Sequence, residues 1–180
     1  MDLVERVKAI LLTPKTEWAV IETETGDANY LFTNYVAILA GIPAVAILIG
    51  YSIAGLGVGR AFLLAVFMYV LYCATWYLAA LVIDALAPTF GGRKNFASAL
   101  KVSTYSPTAL WLAGIFQLIP PLSVLSIVGL YSVYLLWLGL PPLMKAPPDR
   151  ATGYTAAVFV IMLAIVVVIS LVVGMIVSPF

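Results

Sequence analysis

Long apolar runs separated by tight clusters of charge dominate the chain. No Asp, Glu, Lys or Arg interrupts the 32 residues between Asp27 and Arg60, the 23 between Arg60 and Asp84, the 43 covering 102–144 or the 30 covering 151–180. About 20 consecutive apolar residues carry a helix across a hydrocarbon layer roughly 30 Å thick. The first, second and fourth runs each predict one such helix, over 35–54, 61–83 and 155–177. The third predicts two, over 104–119 and 122–140, divided at Pro120-Pro121. The expected fold is therefore all-α, a polytopic five-helix transmembrane bundle forming a single membrane domain over 1–180. Segment 104–119 is short, starts near Pro107 and contains Gln117. It reads either as a full span that begins as an interfacial helix at Phe96 or as half of a re-entrant hairpin. Both give the same parity for the chain that follows.

Before the first span, Leu3, Val7, Ile10 and Leu11 share one helical face, with Asp2, Glu5, Arg6 and Lys8 elsewhere. Thr13-Pro14 reads as a cap and first helical position. A second short helix follows with Trp18 and Ile21 turned inward. This pair lies in the interface with Trp18 at headgroup depth, packs on the mouth of the bundle, or does both, since the two readings are compatible. The acids Glu17, Glu22, Glu24 and Asp27 lack the glycine turn and alternation of a calcium loop, so a solvated acidic linker is expected there rather than a cation site. The first 30 residues contain no hydrophobic leader core, so no cleaved signal is expected. No internal repeat is visible, which gives no support to an inverted-repeat transporter.

Composition sharpens the picture. Hydrophobic residues make up 64% of the 180 and charged residues 9%, against roughly 45–50% and about 25% in soluble domains. The net charge of +1 argues against a nucleic-acid partner. Histidine is absent and Cys73 is the one cysteine, so His-based acid–base chemistry, a thiolate cluster and an intramolecular disulfide are excluded. No Ser-Lys pair, second intramembrane Asp or HExxH motif marks a catalytic centre, and no metal or cofactor is expected. Eight of the nine basic residues (Arg6, Lys8, Lys15, Arg93, Lys94, Lys101, Lys145 and Arg150) fall in segments on one side of the spans, and Arg60 alone on the other. The positive-inside rule places the N-terminus in the cytoplasm and the C-terminus outside.

Candidate interaction residues cluster in the cytoplasmic connections. Gly91-Gly92 permits a tight turn, and with Arg93, Lys94, Lys101 and Lys145 it forms a candidate face for anionic lipid headgroups or a protein partner. The bland alternative is that these bases only fix topology. Asp84 ends a span and calls for a partner such as Lys101 or Arg93; a proton relay is the sharper reading and a paired helix cap the plainer one. Tyr105, Pro107, Gln117, Tyr131 and Tyr134 are candidate cavity or structural polar positions. Ser126, Gly129 and Ser132, and the ladder Ser170, Gly174 and Ser178, allow close helix packing, either within one bundle or at a homodimer seam.

Several strings together resemble a known family. Leu11-Leu12-Thr13-Pro14-Lys15-Thr16-Glu17-Trp18 with Ile21 and Glu22 is similar to the opening signature of bacterial Yip-type proteins, the Ypt/Rab-interacting protein domain family. Gly91-Gly92, Phe96, Leu100-Lys101-Val102 and Tyr105-Ser106-Pro107 resemble its central segment. Tyr131, Tyr134-Leu135-Leu136, Leu138-Gly139-Leu140-Pro141, Lys145-Ala146-Pro147, Ala151 and Tyr154 resemble its last cytoplasmic stretch. The resemblance implies a five-span bundle with a cytoplasmic N-terminus and supplies no catalytic residue. Eukaryotic relatives are associated with prenylated Rab-type GTPases and vesicle budding, but the Asp-Leu-x-Gly-Pro-type motif of that branch is not found here. The expected role is a non-enzymatic scaffold in a prokaryotic cytoplasmic membrane that organises lipid or binds protein partners, with a homo-oligomer as one option. The alternative is a small transporter, channel or lipid-translocating protein with a cavity near 105–126.

Overall fold

The computed structural model describes residues 2–177, with side chains described through Leu171. All regular structure among these residues is helical, and four helices are long and apolar enough to cross a membrane. Helices α1 (Leu3–Leu12) and α2 (Pro14–Thr23) form a roof at one end of the bundle. Helix α3 covers Ala28–Leu56 and α4 covers Val58–Phe90. They join at Gly55 and Gly57, whose φ values of 94° and 85° suit only glycine comfortably. Helix α5 follows at Phe96–Tyr105, and α6 at Thr108–Ala113 runs into a 3-10 turn at Gly114–Leu118. A long 3-10 segment, Pro120–Leu130, leads into α7 (Tyr131–Met144), and α8 covers Ala151–Val177.

The expected third span over 104–119 is not one helix. Pro107 has no N–H to offer the carbonyl of Ser103, so the chain breaks between α5 and α6. It breaks again at Ile119, which is extended (φ −124°, ψ 95°) ahead of Pro120-Pro121. Contacts define the path of the pieces. Thr108 meets Tyr35 through a 2.7 Å hydroxyl–hydroxyl hydrogen bond, Gly114 lies on Pro43, and the Gln117 carbonyl lies on Gly50. Segment 108–118 therefore runs parallel to α3. From Tyr35 to Gly50 is about 22 Å of helix axis at 1.5 Å per residue. One turn and a half of α-helix followed by 3-10 geometry at about 2 Å per residue covers nearly the same depth in fewer residues.

The chain then turns back. Ser126 donates to the carbonyl of Ala113 (3.2 Å), and the Leu110 amide donates to Ser132 (2.9 Å). Gly129 sits against Leu110, where a Cβ would fall 3.0 Å from the Leu110 backbone. The stripe Ser126–Gly129–Ser132 is thus consumed by the antiparallel hairpin itself, not left free as a seam for a second copy. In the other small-residue ladder, Ser178 lies outside the described residues.

The Gly50 contact generates a test. A methyl group at Gly50 would fall deep inside van der Waals contact with the Gln117 and Leu118 carbonyls, whereas one at Gly41 meets nothing within 4 Å. Gly50→Ala is expected to destabilise the detergent-solubilised protein by about 1–3 kcal/mol through overpacking. Gly41→Ala should be neutral or stabilising, since alanine is the better helix former. Unfolding in mixed micelles, read by circular dichroism, checks the pair.

Candidate functional site

The chemistry-bearing residues converge under the roof helices. Arg6 on α1 is 6% exposed and pairs with Glu17, 5% exposed, on α2. Its second nitrogen pairs with Glu24, just past the end of α2. The guanidinium carbon also stands 5.4 Å from the ring centre of Tyr105, within cation–π range. Burial pulls the Arg6 pKa down, but Tyr105 and the two glutamates outweigh it and hold the group above its ordinary value.

Lys101, on α5, is 4% exposed. Its Nζ donates three hydrogen bonds of 2.9 Å, to the carbonyls of Ile21, Glu22 and Glu24. It therefore caps the C-terminus of α2, where carbonyls lack intrahelical partners and the helix dipole favours a cation. Burial pushes the Lys101 ammonium pKa down. This corrects the expectation that Lys101 belongs to an exposed basic face. It also corrects the expected pairing with Asp84, whose Oδ1 is buried without a hydrogen-bond partner among the described residues.

The acidic stretch is a solvated linker only in part: Glu22 and Asp27 are exposed and Glu17 is buried, but all four acids have partners. Glu17 and Glu24 bind Arg6, Glu22 binds the exposed Lys145, and Asp27 caps α3 by accepting from the Tyr30 amide at 2.6 Å. Among the described residues no group of three or more Cys, Asp or Glu side chains is arranged to hold a metal ion.

Trp18 anchors the roof from the apolar side. It is 1% exposed and lies in a notch at Gly139 of α7, where a Cβ would fall 2.7 Å from the indole. Tyr105 meets it edge-on at 6.4 Å. The N-terminal helices therefore pack on the bundle mouth, which is compatible with a place in the membrane interface. Tyr131 adds a strut, donating 3.0 Å to the Leu11 carbonyl. Tyr134 stacks on Trp137 with centres 6.1 Å apart at the exposed flank.

The connection after α4 and the one after α7 form one joint. Gly91 adopts φ 74°, and Lys145 adopts the left-handed φ of 55°, which is uncommon for a residue with a Cβ. The Gly92 amide donates to Ala87, and the Arg93 amide donates to Met144 across the joint, each at 2.8 Å. A side chain at Gly92 would collide with the Met144 carbonyl. Tyr154 donates to the Ile83 carbonyl, and its ring stacks on Phe90 at 5.0 Å. Arg93, Lys94 and Arg150 are left exposed around this joint. Arg150, which sequence reasoning used only for topology, comes within 3.5 Å of the position a Cβ on Gly91 would take.

Two cavities flank the core. A polar vestibule of about 670 Å³ opens beneath the roof, lined by Asp2, Arg6, Glu24, Asn34, Tyr35 and Tyr105. It reaches Ile38, early in α3, and no further along that helix. An apolar groove of about 320 Å³ lies on another flank and includes Pro107. Gln117 lines neither of these two cavities.

An all-helical chain with four membrane-length apolar helices, closed at one end by an ion-paired amphipathic roof, is a polytopic membrane protein. The family model for the Yip1 domain matches residues 8–169, nearly the whole chain, and the chain belongs to that family. The protein named "Inner membrane protein YohC" of Escherichia coli strain K12 is 25% identical over 162 residues, covering 82% of this chain and 83% of the relative. The protein of the same name in E. coli O6:H1 matches equally well. No solved structure matches.

The Arg6–Glu17 pair gives a test of the roof. Arg6→Met leaves a buried carboxylate unpaired and is expected to cost about 3–5 kcal/mol. Arg6→Met combined with Glu17→Gln should recover much of that loss, because the stranded charge is gone. Unfolding titrations of the wild type, single and double variants measure both.

Proposed function

We propose that the protein is a non-enzymatic membrane scaffold that presents a basic platform on the cytoplasmic side of an inner membrane. The observation that carries this reading is the locked state of the roof. Arg6, Glu17, Glu24, Lys101 and Trp18 are all used to hold α1 and α2 onto the bundle. None of them is poised toward a reacting group. What remains accessible beside the rigid joint is Arg93, Lys94 and Arg150, with Lys145 half committed to Glu22. Basic residues at a membrane surface attract anionic lipid and acidic protein patches, each charge adding about 1 kcal/mol near an anionic bilayer. Gly91 and Gly92 shape this platform and do not bind through side chains.

A transport role draws less support. The polar vestibule ends near the start of α3, and the hairpin legs at 105–126 pack directly on each other and on α3 through Gly50, Gly114 and Gly129. In this reading the hairpin is the third and fourth membrane passage, completing five. The chain then enters α8 on the side of the roof and leaves on the other. The basic residues other than Arg60 support a cytoplasmic roof.

Two measurements test these readings. Alkaline phosphatase, active only outside the cytoplasm, is expected to be active when fused after residue 180 and inactive when inserted after Lys94; the reverse pattern would invert the orientation. For the platform, photo-crosslinking from membranes should yield lipid or protein adducts that fall at least fivefold in the triple variant Arg93→Glu, Lys94→Glu, Arg150→Glu. Unchanged adducts in that variant, with helix content preserved, would refute the platform.

A further inference from the structure

Helix α8 leaves the bundle part-way along its length. Its buried residues are Ala151, Tyr154, Thr155 and Val158; none of the residues from Phe159 to Leu171 is buried. The gap that opens there is the apolar groove, floored by Trp111 and walled by Val133, Leu136, Met162 and Leu163. Its volume of about 320 Å³ is roughly twice that of the ~150 Å³ dry cavity known to accept benzene. Leu110, Leu130, Phe159 and Leu163 on its rim are 40–57% exposed, so it opens sideways on the bundle surface.

Depth identifies what surrounds the opening. About twenty residues counted back from the outer turn at Gly57 span the hydrocarbon layer. The far boundary then falls near Val36 on α3 and near Tyr77 on α4. Two hydrogen bonds tie the chain around Ser106 to that level: Tyr35 to Thr108 at 2.7 Å, and the Trp76 indole to Thr104 at 2.8 Å. The groove runs from Ser103 and Ser106 at this boundary toward the bilayer centre, alongside Val158–Val166 of α8. Its opening therefore faces acyl chains.

One polar atom in the wall is unexplained. Ser106 is 5% exposed, lines the groove, and its Oγ is buried with no hydrogen-bond partner among the described residues. An unsatisfied buried hydroxyl is costly. A donor set at the hydrocarbon boundary, at one end of an apolar groove that runs along α8, matches the ester carbonyl of a glycerolipid with its chain lying in the groove. We propose that the groove binds one acyl chain of a membrane glycerolipid, with Ser106 donating to that chain's ester carbonyl. The inference deepens the lipid-organising side of the reading above, but it concerns a different surface from the Arg93–Lys94–Arg150 platform.

The test uses the full chain in nanodiscs of phosphatidylglycerol with either ester-linked or ether-linked chains, released into mild detergent and weighed by native mass spectrometry. The expected result is one retained lipid per chain, with the ester form favoured about fivefold, the value of one modest hydrogen bond. Ser106→Ala should abolish that preference while leaving the thermal stability of the lipid-extracted protein unchanged or raised, because without lipid the hydroxyl it removes has no partner. Val133→Trp should cut retention at least tenfold. Leu163→Trp, placed on the exposed rim and harmless to folding, should do the same and guards against a misfolded Val133 variant. A delipidated wild type, retention in both tryptophan variants equal to that of the wild type, or a lipid-free dimer crosslinked through Leu163→Cys would overturn the proposal. An ester-to-ether ratio of one in the wild type would overturn the role of Ser106. The triple platform variant should retain the lipid like the wild type, so failure of the platform and failure of the groove are read separately.

Discussion

The burial of Arg6 against Glu17 is the interaction on which the N-terminal half of the structure depends. Two charges withdrawn from water cost more than their mutual attraction returns unless the remaining donors and acceptors are also satisfied. Here Arg6 uses a second nitrogen on Glu24 and lies over the face of Tyr105. Lys101 then fixes the end of α2 by three carbonyl contacts. The arrangement holds only if α1, α2, α5 and Tyr105 are all in place. A roof held this way is specific in position rather than merely adherent. An amphipathic helix floating in the headgroup layer would need neither a buried ion pair nor a tryptophan seated against Gly139.

The same constraint of satisfying polar groups away from water shapes the broken region. Pro107, Gly114 and Pro120-Pro121 disrupt regular α-helix, and exposed broken backbone is not tolerated in hydrocarbon. The chain answers by pairing its two short legs. Ser126 and Ser132 lend hydroxyls to backbone groups of the opposite leg, and Gly129 lets the legs touch. Glycines at 50 and 114 bring the first leg against α3 at backbone contact distance. The 3-10 geometry, rarely sustained beyond a few residues, persists here for eleven residues from Pro120 to Leu130. Packing of small side chains, not intrinsic preference, maintains it.

Much of this was legible in the sequence, and the unread part has a common cause. Charge-free runs located the membrane helices, because hydrocarbon excludes charge over a fixed length. The 3.6-residue spacing of Leu3, Val7 and Ile10 located the roof. Pro107 and Pro120-Pro121 marked the weak span, although not that its remedy would be a 3-10 hairpin. What stayed hidden were contacts between residues far apart in the chain. Lys101 reaches carbonyls 77 to 80 residues earlier, and the acids after Glu17 resemble a solvated run until Arg6 and Lys145 are placed beside them. A signal did exist. Four acids directly follow a helix that carries Arg6, and every basic residue but Arg60 lies at the same end, so internal pairing was available to be weighed against solvent exposure. The small-residue stripe at 126–132 carried no such signal, since a hairpin and a dimer seam require the same side chains.

The division between the two cavities bears directly on what such a molecule can do. The vestibule under the roof is polar and bordered by charge; the groove beside α8 is apolar. Between them stand Tyr35, Tyr105 and Thr108, with Tyr35 and Thr108 hydrogen-bonded and the two tyrosine rings edge-on at 4.8 Å. Thr108 also donates to the Tyr105 carbonyl at 2.6 Å, so the plug is tied to the backbone on either side of the Pro107 break. A hydrophilic solute entering from the vestibule would have to displace buried aromatic rings and would then meet a slot lined mainly by apolar side chains. A lipid approaching from the bilayer meets neither obstacle. The architecture therefore separates an aqueous face, suited to charged partners, from a lateral face suited to acyl chains, and joins them through the short stretch from Lys101 to Thr108. On the function proposed above, a protein built this way holds lipid and surface partners in register rather than passing a solute between compartments.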